Sequence, residues 1–373
     1  MQLLPFRATL PRLEFVTSPQ AFFDSVKEDY IELAESGFFA TEAQDGFFIY
    51  QIEKNAKLYT GIIAMIDMAK HNSEEVIPHE KTLAKKEQRQ ITLLLKRKAT
   101  VKPILLTYPP VDQISFLQHQ LSQDQPHVSV YFQDQQEKHS LWAIYDTPSQ
   151  QQIHDLFERL VPKTFIADGH HRCATAKRLS NGKQNSPFSK VLCGLFPSTE
   201  LEIHDFNRVI DAFTDCSPTY FMARLSQYCD IKPLEAAYKP SQKHELVLLV
   251  QKEWYQLRWK PFILDQVGYQ GDVLDTQLIN DIILHQILGI RNVSSNPRVR
   301  YIEGPKGLQG IYQATQEKPY RIGLAMYPIQ AEELFRLTSG KTILPAKSTW
   351  FEPRLKNGIV NFKYESPVNK HNH

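Results

Sequence analysis

The chain has 373 residues, 42% of them hydrophobic and 23% charged, which indicates a globular protein long enough for two or three domains. Its 43 basic and 41 acidic side chains leave a formal net charge of +2, which argues against a dedicated nucleic-acid-binding protein. No segment has the length of a membrane-spanning helix, and the opening residues lack the apolar stretch of a secretory signal. The four cysteines include no Cys-x-x-Cys pair, so we expect free thiols in a reducing compartment, the cytoplasm. From the charge balance and the absence of a spanning segment, we expect neither nucleic-acid nor membrane partners.

Helical and strand patterns alternate through the first half of the chain. Apolar residues at helical spacing predict helices, and short apolar runs between turn residues predict strands. An Asn-Gly pair at 181–182 predicts the end of the last of these helices. The predicted helices are 19–37, 82–98, 114–121, 149–160 and 170–179, and the predicted strands are 46–52, 58–66, 104–108, 128–132, 140–145, 163–167 and 190–196.

A second alternating pattern begins near residue 214. It predicts a hairpin from Glu245–Gln251 and Trp254–Trp259, an apolar helix over Asp275–Leu288, and further strands and helices to Leu337. The stretch 344–353 has two prolines and no period, and 366–373 is expected to be a disordered tail. We therefore predict an α/β fold (α+β, with a mixed sheet) divided into regions 1–213 and 214–373.

The most informative motif is Asp168-Gly169-His170-His171-Arg172, where a predicted buried strand meets a helix. A helix start presents backbone N–H groups and a positive dipole end to an anion. The two histidines and the planar Arg172 fork add donors suited to phosphate, while Asp168 can cap the helix or hold a cation. Because cations at this end destabilise a helix, the simpler alternative of a capped helix with surface histidines is less favoured. The motif predicts an anion-binding site.

Two other segments carry candidate site residues. Glu80 lies just before a predicted helix, where a carboxylate either stabilises the first turn or serves as a general base for a hydroxyl. Lys347, Ser348 and Thr349 form a polar cluster suited to phosphate or a hydrated cation, although polar loops of this kind are common. Arg208 is a weaker candidate of the same type.

Together these segments are similar to the bacterial and archaeal domain-of-unknown-function family 1015, and the resemblance covers nearly the whole chain. The matching segments are Leu4-Pro5-Phe6-Arg7, Pro78-His79-Glu80-Lys81-Thr82 with Arg89, Ala167 to Arg172, Asn207-Arg208-Val209-Ile210 and Leu344 to Phe351. The family resembles ParB- and sulfiredoxin-like folds. This implies a ParB/sulfiredoxin-like core with an additional C-terminal α/β region.

Within that group, free-serine kinases share an Asp-Gly-His-His-Arg turn and an upstream glutamate that acts as the base. The resemblance implies that ATP or ADP is used with Mg²⁺, which the phosphates and Asp168 would hold. Sulfiredoxins instead have a cysteine directly before the His-Arg pair, and His170 fills that position here. The implied catalytic residues are Glu80, Asp168 and His171, and the implied nucleotide-binding residues are Gly169, His170, Arg172, Arg208, Lys347, Ser348 and Thr349.

We therefore predict a small-molecule kinase that acts on free serine or a similar hydroxyl metabolite, with Glu80, Asp168, His171, Arg172 and Lys347 in one cleft. Two alternatives stay open. The first is a nucleotide- or metabolite-binding regulator without turnover. The second, less favoured, is a metal-dependent hydrolase that uses the histidines at 79, 170 and 171 with Asp168.

Overall fold

The computed structural model describes residues 1–72, 74–180, 186–267 and 273–364. The chain forms two compact units, and the first contains Met1–Glu202 together with Pro353–His373. The second unit is Ile203–Glu352. This division lies before the predicted boundary at 213/214 because the strand Phe206–Asp211 pairs with two strands of the second unit, Val299–Glu303 and Arg321–Met326.

The first unit is built on a mixed sheet of eight strands within the described residues. In sheet order the strands are Val76–Ile77, Thr164–Asp168, Ile104–Tyr108, Lys190–Pro197, Lys57–Asp67, Phe47–Lys54, Glu137–Ile144 and Val128–Phe132. The first pair is parallel, as is the third strand with the fourth, and the other pairs are antiparallel. Two smaller pairings join Thr9–Pro11 to Phe39–Thr41 and Ala99–Thr100 to Phe362–Lys363.

Helices contribute buried side chains to the core of the first unit. Ile104–Tyr108 is buried at every position, which explains why its sequence is mostly apolar rather than alternating, with Thr107 as its one polar residue. The helix Ala84–Arg97 packs against the helix His170–Ser180. The second of these helices begins within the motif Asp168–Arg172, which we call the motif turn. The α-helices are Pro19–Glu35, Ala84–Arg97, Asp112–Leu121, Thr147–Leu160 and His170–Ser180, with 3₁₀ turns at Leu13–Phe15, Pro187–Ser189 and Ser198–Glu200.

The second unit contains an antiparallel sheet of six strands in its described part. Their order is Cys229–Leu234, Glu253–Trp259, Glu245–Val250, Arg321–Met326, Phe206–Asp211 and Val299–Glu303. Two short strands, Glu202–His204 and Trp350–Glu352, pair with each other. The helices are Pro218–Leu225, Pro261–Val267, Asp275–Leu278, the π-helix Ile279–Ile287, Gly307–Gln316 and Ala331–Ser339, with 3₁₀ turns at Val293–Ser295 and Gly304–Lys306.

The predicted α/β class with a mixed sheet is confirmed. The predicted helix 275–288 is α-helical only over Asp275–Leu278 and continues as a π-helix, a difference that a nearly uniform apolar run cannot reveal. The predicted stop at 181–182 and the predicted tail at 366–373 lie outside the described residues. Among the helices described, none is long and apolar enough to cross a membrane.

Candidate functional site

The motif turn requires a glycine for two reasons. Gly169 has a φ of +106°, which glycine adopts more readily than residues with a side chain. A Cβ atom at this position would lie 2.7 Å from Ile104 Cγ2 and 2.9 Å from Arg172 Nη2. The strand Thr164–Asp168 therefore passes into the following helix through a turn in which a larger residue would displace its neighbours.

Three cationic side chains converge on the carboxylate of Asp168. Arg172 Nη2 donates to Oδ2 at 2.9 Å, and Lys102 Nζ lies 3.6 Å from the same oxygen. Arg354 Nη1, from the returning C-terminal segment, lies 3.1 Å from Oδ1. Burial alone would raise the pKa of Asp168, but the positive charges of these three side chains outweigh it and hold the pKa below its ordinary range. Taken together, these four described side chains have a surplus of positive charge, because three cations face one carboxylate.

The guanidinium of Arg172 makes hydrogen bonds to other groups of the protein. Its Nη1 donates to the backbone carbonyls of Lys102 at 2.6 Å and Pro103 at 2.7 Å, while its Nη2 donates to Asp168. The guanidinium thus ties the backbone before the strand Ile104–Tyr108 to the motif turn. A direct contact from Arg172 to phosphate stays a prediction, whereas its positioning of the turn is observed.

Glu80 lies in a segment that is hydrogen-bonded to the motif histidines. The backbone N–H of His79 donates to His170 Nε2 at 3.3 Å, and that of Leu83 donates to His171 Nε2 at 3.1 Å. The chain on both sides of Glu80 is therefore held against the start of the helix His170–Ser180. His171 serves here as an anchor for the Glu80 segment.

The two buried histidines, His79 and His170, pack edge to face with ring centroids 4.4 Å apart. The pKa of His170 is lowered to about 4, and burial is the largest cause of this shift; Asp168 opposes it, while the charges of His171 and Arg172 contribute to it. Burial and then the neighbouring His170 lower the pKa of His79 well below its usual value. Since His170 Nε2 accepts a hydrogen bond, its neutral ring carries the proton on Nδ1, and His170 is not a cation at neutral pH.

We expect the His170 ring in the folded protein to stay neutral until the pH falls to about 4. An unfolded histidine takes up its proton near pH 6.5, so the unfolded state binds more protons between these values. The contribution of His170 to the free energy of unfolding should therefore decrease as the pH falls from about 6.5 toward 4, and His170→Asn should remove that part of the pH dependence. NMR titration of the ring measures this directly, and a folded-state midpoint near 6.5 would contradict it.

The predicted site residues of the second unit are held within it. Arg208 is fully buried; its Nη1 lies 3.4 Å from both Phe206 O and Met326 Sδ, and within the described ranges its Nε and Nη2 have no hydrogen-bond partner. Lys347 Nζ lies 4.6 Å from the centroid of the Phe206 ring. Ser348 Oγ donates to Pro345 O at 2.6 Å.

Thr349 is also buried. Thr349, Ser348, Lys347 and Arg208 all belong to the second unit, and the motif turn belongs to the first. Their shared cleft with the turn stays a prediction, and so does their role in nucleotide binding.

The donors around Asp168 do not fit a magnesium ion held by the protein. Both carboxylate oxygens are paired with cationic side chains, which would repel a divalent cation. In the part of the chain that the structure describes, no group of three or more His, Cys, Asp or Glu side chains is arranged to hold a metal ion. Asp168 as a metal ligand stays a prediction that this geometry disfavours.

A cavity of about 380 Å³ adjoins the charge cluster in the first unit. The helices Ala84–Arg97 and His170–Ser180 contribute to its wall, together with Asp168 and residues 99–102. Its volume lies within the roughly 300–1,000 Å³ that is typical of small-molecule sites. The sequence reasoning missed this cavity and missed Lys102 and Arg354, because an isolated basic residue beside a proline carries no recognisable pattern.

The sequence matches one protein family over most of its length. Residues 6–277 match the family described as "Protein of unknown function (DUF1015)", and the chain belongs to this family. No curated protein matches the sequence. The ParB/sulfiredoxin-like part of the predicted fold stays a prediction.

Several solved structures are distantly similar to the chain. SbnI with a C-terminal truncation, from Staphylococcus aureus, is 11% identical with a TM-score of 0.43, over 79% of this chain and 85% of SbnI. A free serine kinase variant in complex with ADP is 12% identical with a TM-score of 0.40, over 80% of this chain and 92% of the kinase. A conserved hypothetical protein from Pyrococcus furiosus is 12% identical with a TM-score of 0.38, over 80% and 95% of the two chains. Similarities this low carry no functional argument.

Proposed function

We propose that the protein is a cytoplasmic small-molecule kinase, which transfers a phosphoryl group from ATP or ADP to the hydroxyl of free serine or a similar metabolite. One observation carries the proposal. The backbone on both sides of Glu80 is hydrogen-bonded to the two histidines of a turn that has a surplus of positive charge. Phosphoryl transfer depends on positioning, charge neutralisation and a group that accepts the hydroxyl proton, and this arrangement offers all three.

In the proposed reaction, the acceptor oxygen bonds to the terminal phosphorus of the nucleotide. The bond from that phosphorus to its bridging oxygen breaks, and the shortened nucleotide leaves with the electron pair. The carboxylate of Glu80 accepts the hydroxyl proton. The helix start at Gly169 and His170 and the cations around Asp168 offset the negative charge of the phosphates.

Other residues have supporting roles in this proposal. Arg172 and His171 position the turn and the Glu80 segment, and Asp168 keeps the surrounding cations in place. Mg²⁺ would accompany the phosphates of the nucleotide, since the donors around Asp168 do not fit it. Arg208, Lys347, Ser348 and Thr349 remain proposed nucleotide contacts on the resemblance alone.

A nucleotide-binding regulator without turnover is the second candidate. Both Asp168 oxygens and both terminal nitrogens of Arg172 are paired inside the protein. This favours the regulator, because such a network can shape a binding site without taking part in a reaction.

Turnover separates the two candidates. The purified protein is incubated with Mg²⁺, ATP or ADP, and a panel of hydroxyl-bearing amino acids and small alcohols, and phosphorylated products are sought by mass spectrometry. The kinase proposal predicts a product from serine or another hydroxyl acceptor and none from alanine, which lacks the hydroxyl. Nucleotide binding without product from any acceptor would support the regulator. If the protein neither binds nucleotide nor forms product, the kinase and the regulator are both contradicted.

A further inference from the structure

The cavity of the first unit combines an apolar wall with cationic side chains. Leu94, Val101 and Val191 contribute to the apolar part. Four basic residues also line it, whereas Asp168 is the one acidic residue among the described residues of the lining. Its basic residues are Lys27, Arg97, Lys102 and Arg172. A ligand that matches this lining has both an apolar part and negative charge.

Lys102 and Arg172 differ in what their charged groups already contact. Arg172 donates to two backbone carbonyls and to Asp168. Lys102 Nζ has one ion-pair contact among the described residues, at 3.6 Å from Asp168 Oδ2, longer than a normal hydrogen bond. The ammonium of Lys102 can therefore turn to an incoming anion without breaking a short contact.

We propose that this cavity holds the nucleoside of the phosphoryl donor and that Lys102 binds its phosphate chain. That the bound nucleotide is the phosphoryl donor rests on the proposed function. The apolar wall would face the base and sugar, and neutral polar residues of the lining, Gln90 and Asn357, offer hydrogen bonds to them. The phosphates would then extend toward the charge cluster at Asp168, which also lines the cavity.

Proton uptake provides a signature that a structural lysine would not give. The pKa of Lys102 is lowered to about 8, and burial is the largest cause of this shift; Asp168 opposes it, while Arg172 and Arg354 contribute to it. Part of the Lys102 population is therefore neutral at pH 8.5, and a bound phosphate favours the charged form. Calorimetric titration with ADP at pH 8.5, in buffers of different ionisation enthalpy, should show net proton uptake. Lys102→Met should abolish it, and Lys85→Met, at an exposed position, should retain it.

The nucleoside part is tested by filling the cavity. Leu94→Trp places an indole in the cavity, and Leu95→Trp adds the same group at the next, exposed position of the helix. Leu94→Trp should weaken ADP binding by about tenfold or more, which corresponds to 1.4 kcal/mol. It should leave pyrophosphate, which has no nucleoside, almost unaffected, while Lys102→Met should weaken both ligands. Thermal unfolding establishes that each variant is folded.

Each outcome has a defined meaning. Equal ADP affinity of the Leu94→Trp and Leu95→Trp proteins would overturn the nucleoside site, while product formation by the wild type would still support the kinase. If Leu94→Trp should fail to fold, unchanged proton uptake in Lys102→Met would overturn the assignment on its own. Loss of ADP binding in Leu94→Trp without any product from the wild type would support the cavity and remove the kinase. No ADP binding by the wild type would overturn the inference.

Discussion

Replacing Glu80 with glutamine is expected to slow phosphoryl transfer by about 10²–10⁴-fold while nucleotide affinity stays close to that of the wild type. The amide has nearly the size of the carboxylate but cannot accept the proton of the hydroxyl. The backbone hydrogen bonds from His79 and Leu83 do not involve the Glu80 side chain, so the segment should keep its place against the turn. Steady-state rates and calorimetric ADP binding measure the two effects separately.

Glu53→Gln provides the matched control. Glu53 is exposed and belongs to the strand Phe47–Lys54, away from the motif segment in sequence, so this variant should have the wild-type rate. Full activity in the Glu80→Gln protein would keep the kinase but remove Glu80 as its base. Loss of nucleotide binding together with rate would show that Glu80 acts in binding rather than in proton transfer.

Replacing Asp168 with asparagine should lower the free energy of unfolding at pH 7 by roughly 2–3 kcal/mol, the range expected when partly buried charges lose their partner. Three cations would then face each other without the carboxylate that now separates them: Arg172, Lys102 and Arg354. Chemical unfolding followed by circular dichroism measures the change. Asp134→Asn, at an exposed position, should have little effect.

The effect of Asp168→Asn should also depend on pH in a defined direction. The pKa of Asp168 in the folded protein is lower than that of an unfolded aspartate, near 3.9. Its stabilising contribution is therefore fully present above that value and is lost as the pH falls through the folded-state pKa. The difference in unfolding free energy between the wild type and the variant should be largest near neutral pH and shrink below about pH 4. A difference that grows on acidification would contradict the ion-pair account.

Much of the first unit could be predicted from local patterns. The strand Ile104–Tyr108 has the predicted bounds because a mostly apolar segment stands between prolines. The helix begins at His170, where the glycine turn ends, as predicted. By contrast, the strand Phe206–Asp211 was missed as a separate element. Its buried positions include Asn207 and Arg208, and these polar residues conceal the apolar signal of a strand.

The candidate site was predictable only in its local part. The motif turn and Glu80 could be recognised because residues that are adjacent in sequence indicate an anion-binding turn and a general base. The contact of Arg354 with Asp168 depends on the return of the chain to the first unit after Glu352, and no local period encodes such a return. Lys102 likewise acquires its low pKa from burial and from charges brought together by the fold.

A phosphorus NMR time course tests the central claim most directly. The purified protein is mixed with Mg²⁺, L-serine and either ATP or ADP, and the terminal phosphate signal is followed together with any new phosphomonoester signal. If the protein is a serine kinase, a phosphoserine signal should grow in equal molar amount to the loss of the terminal phosphate, and it should nearly vanish with Glu80→Gln. For serine as the acceptor, an unchanged nucleotide spectrum, or the appearance of inorganic phosphate alone, would contradict the account.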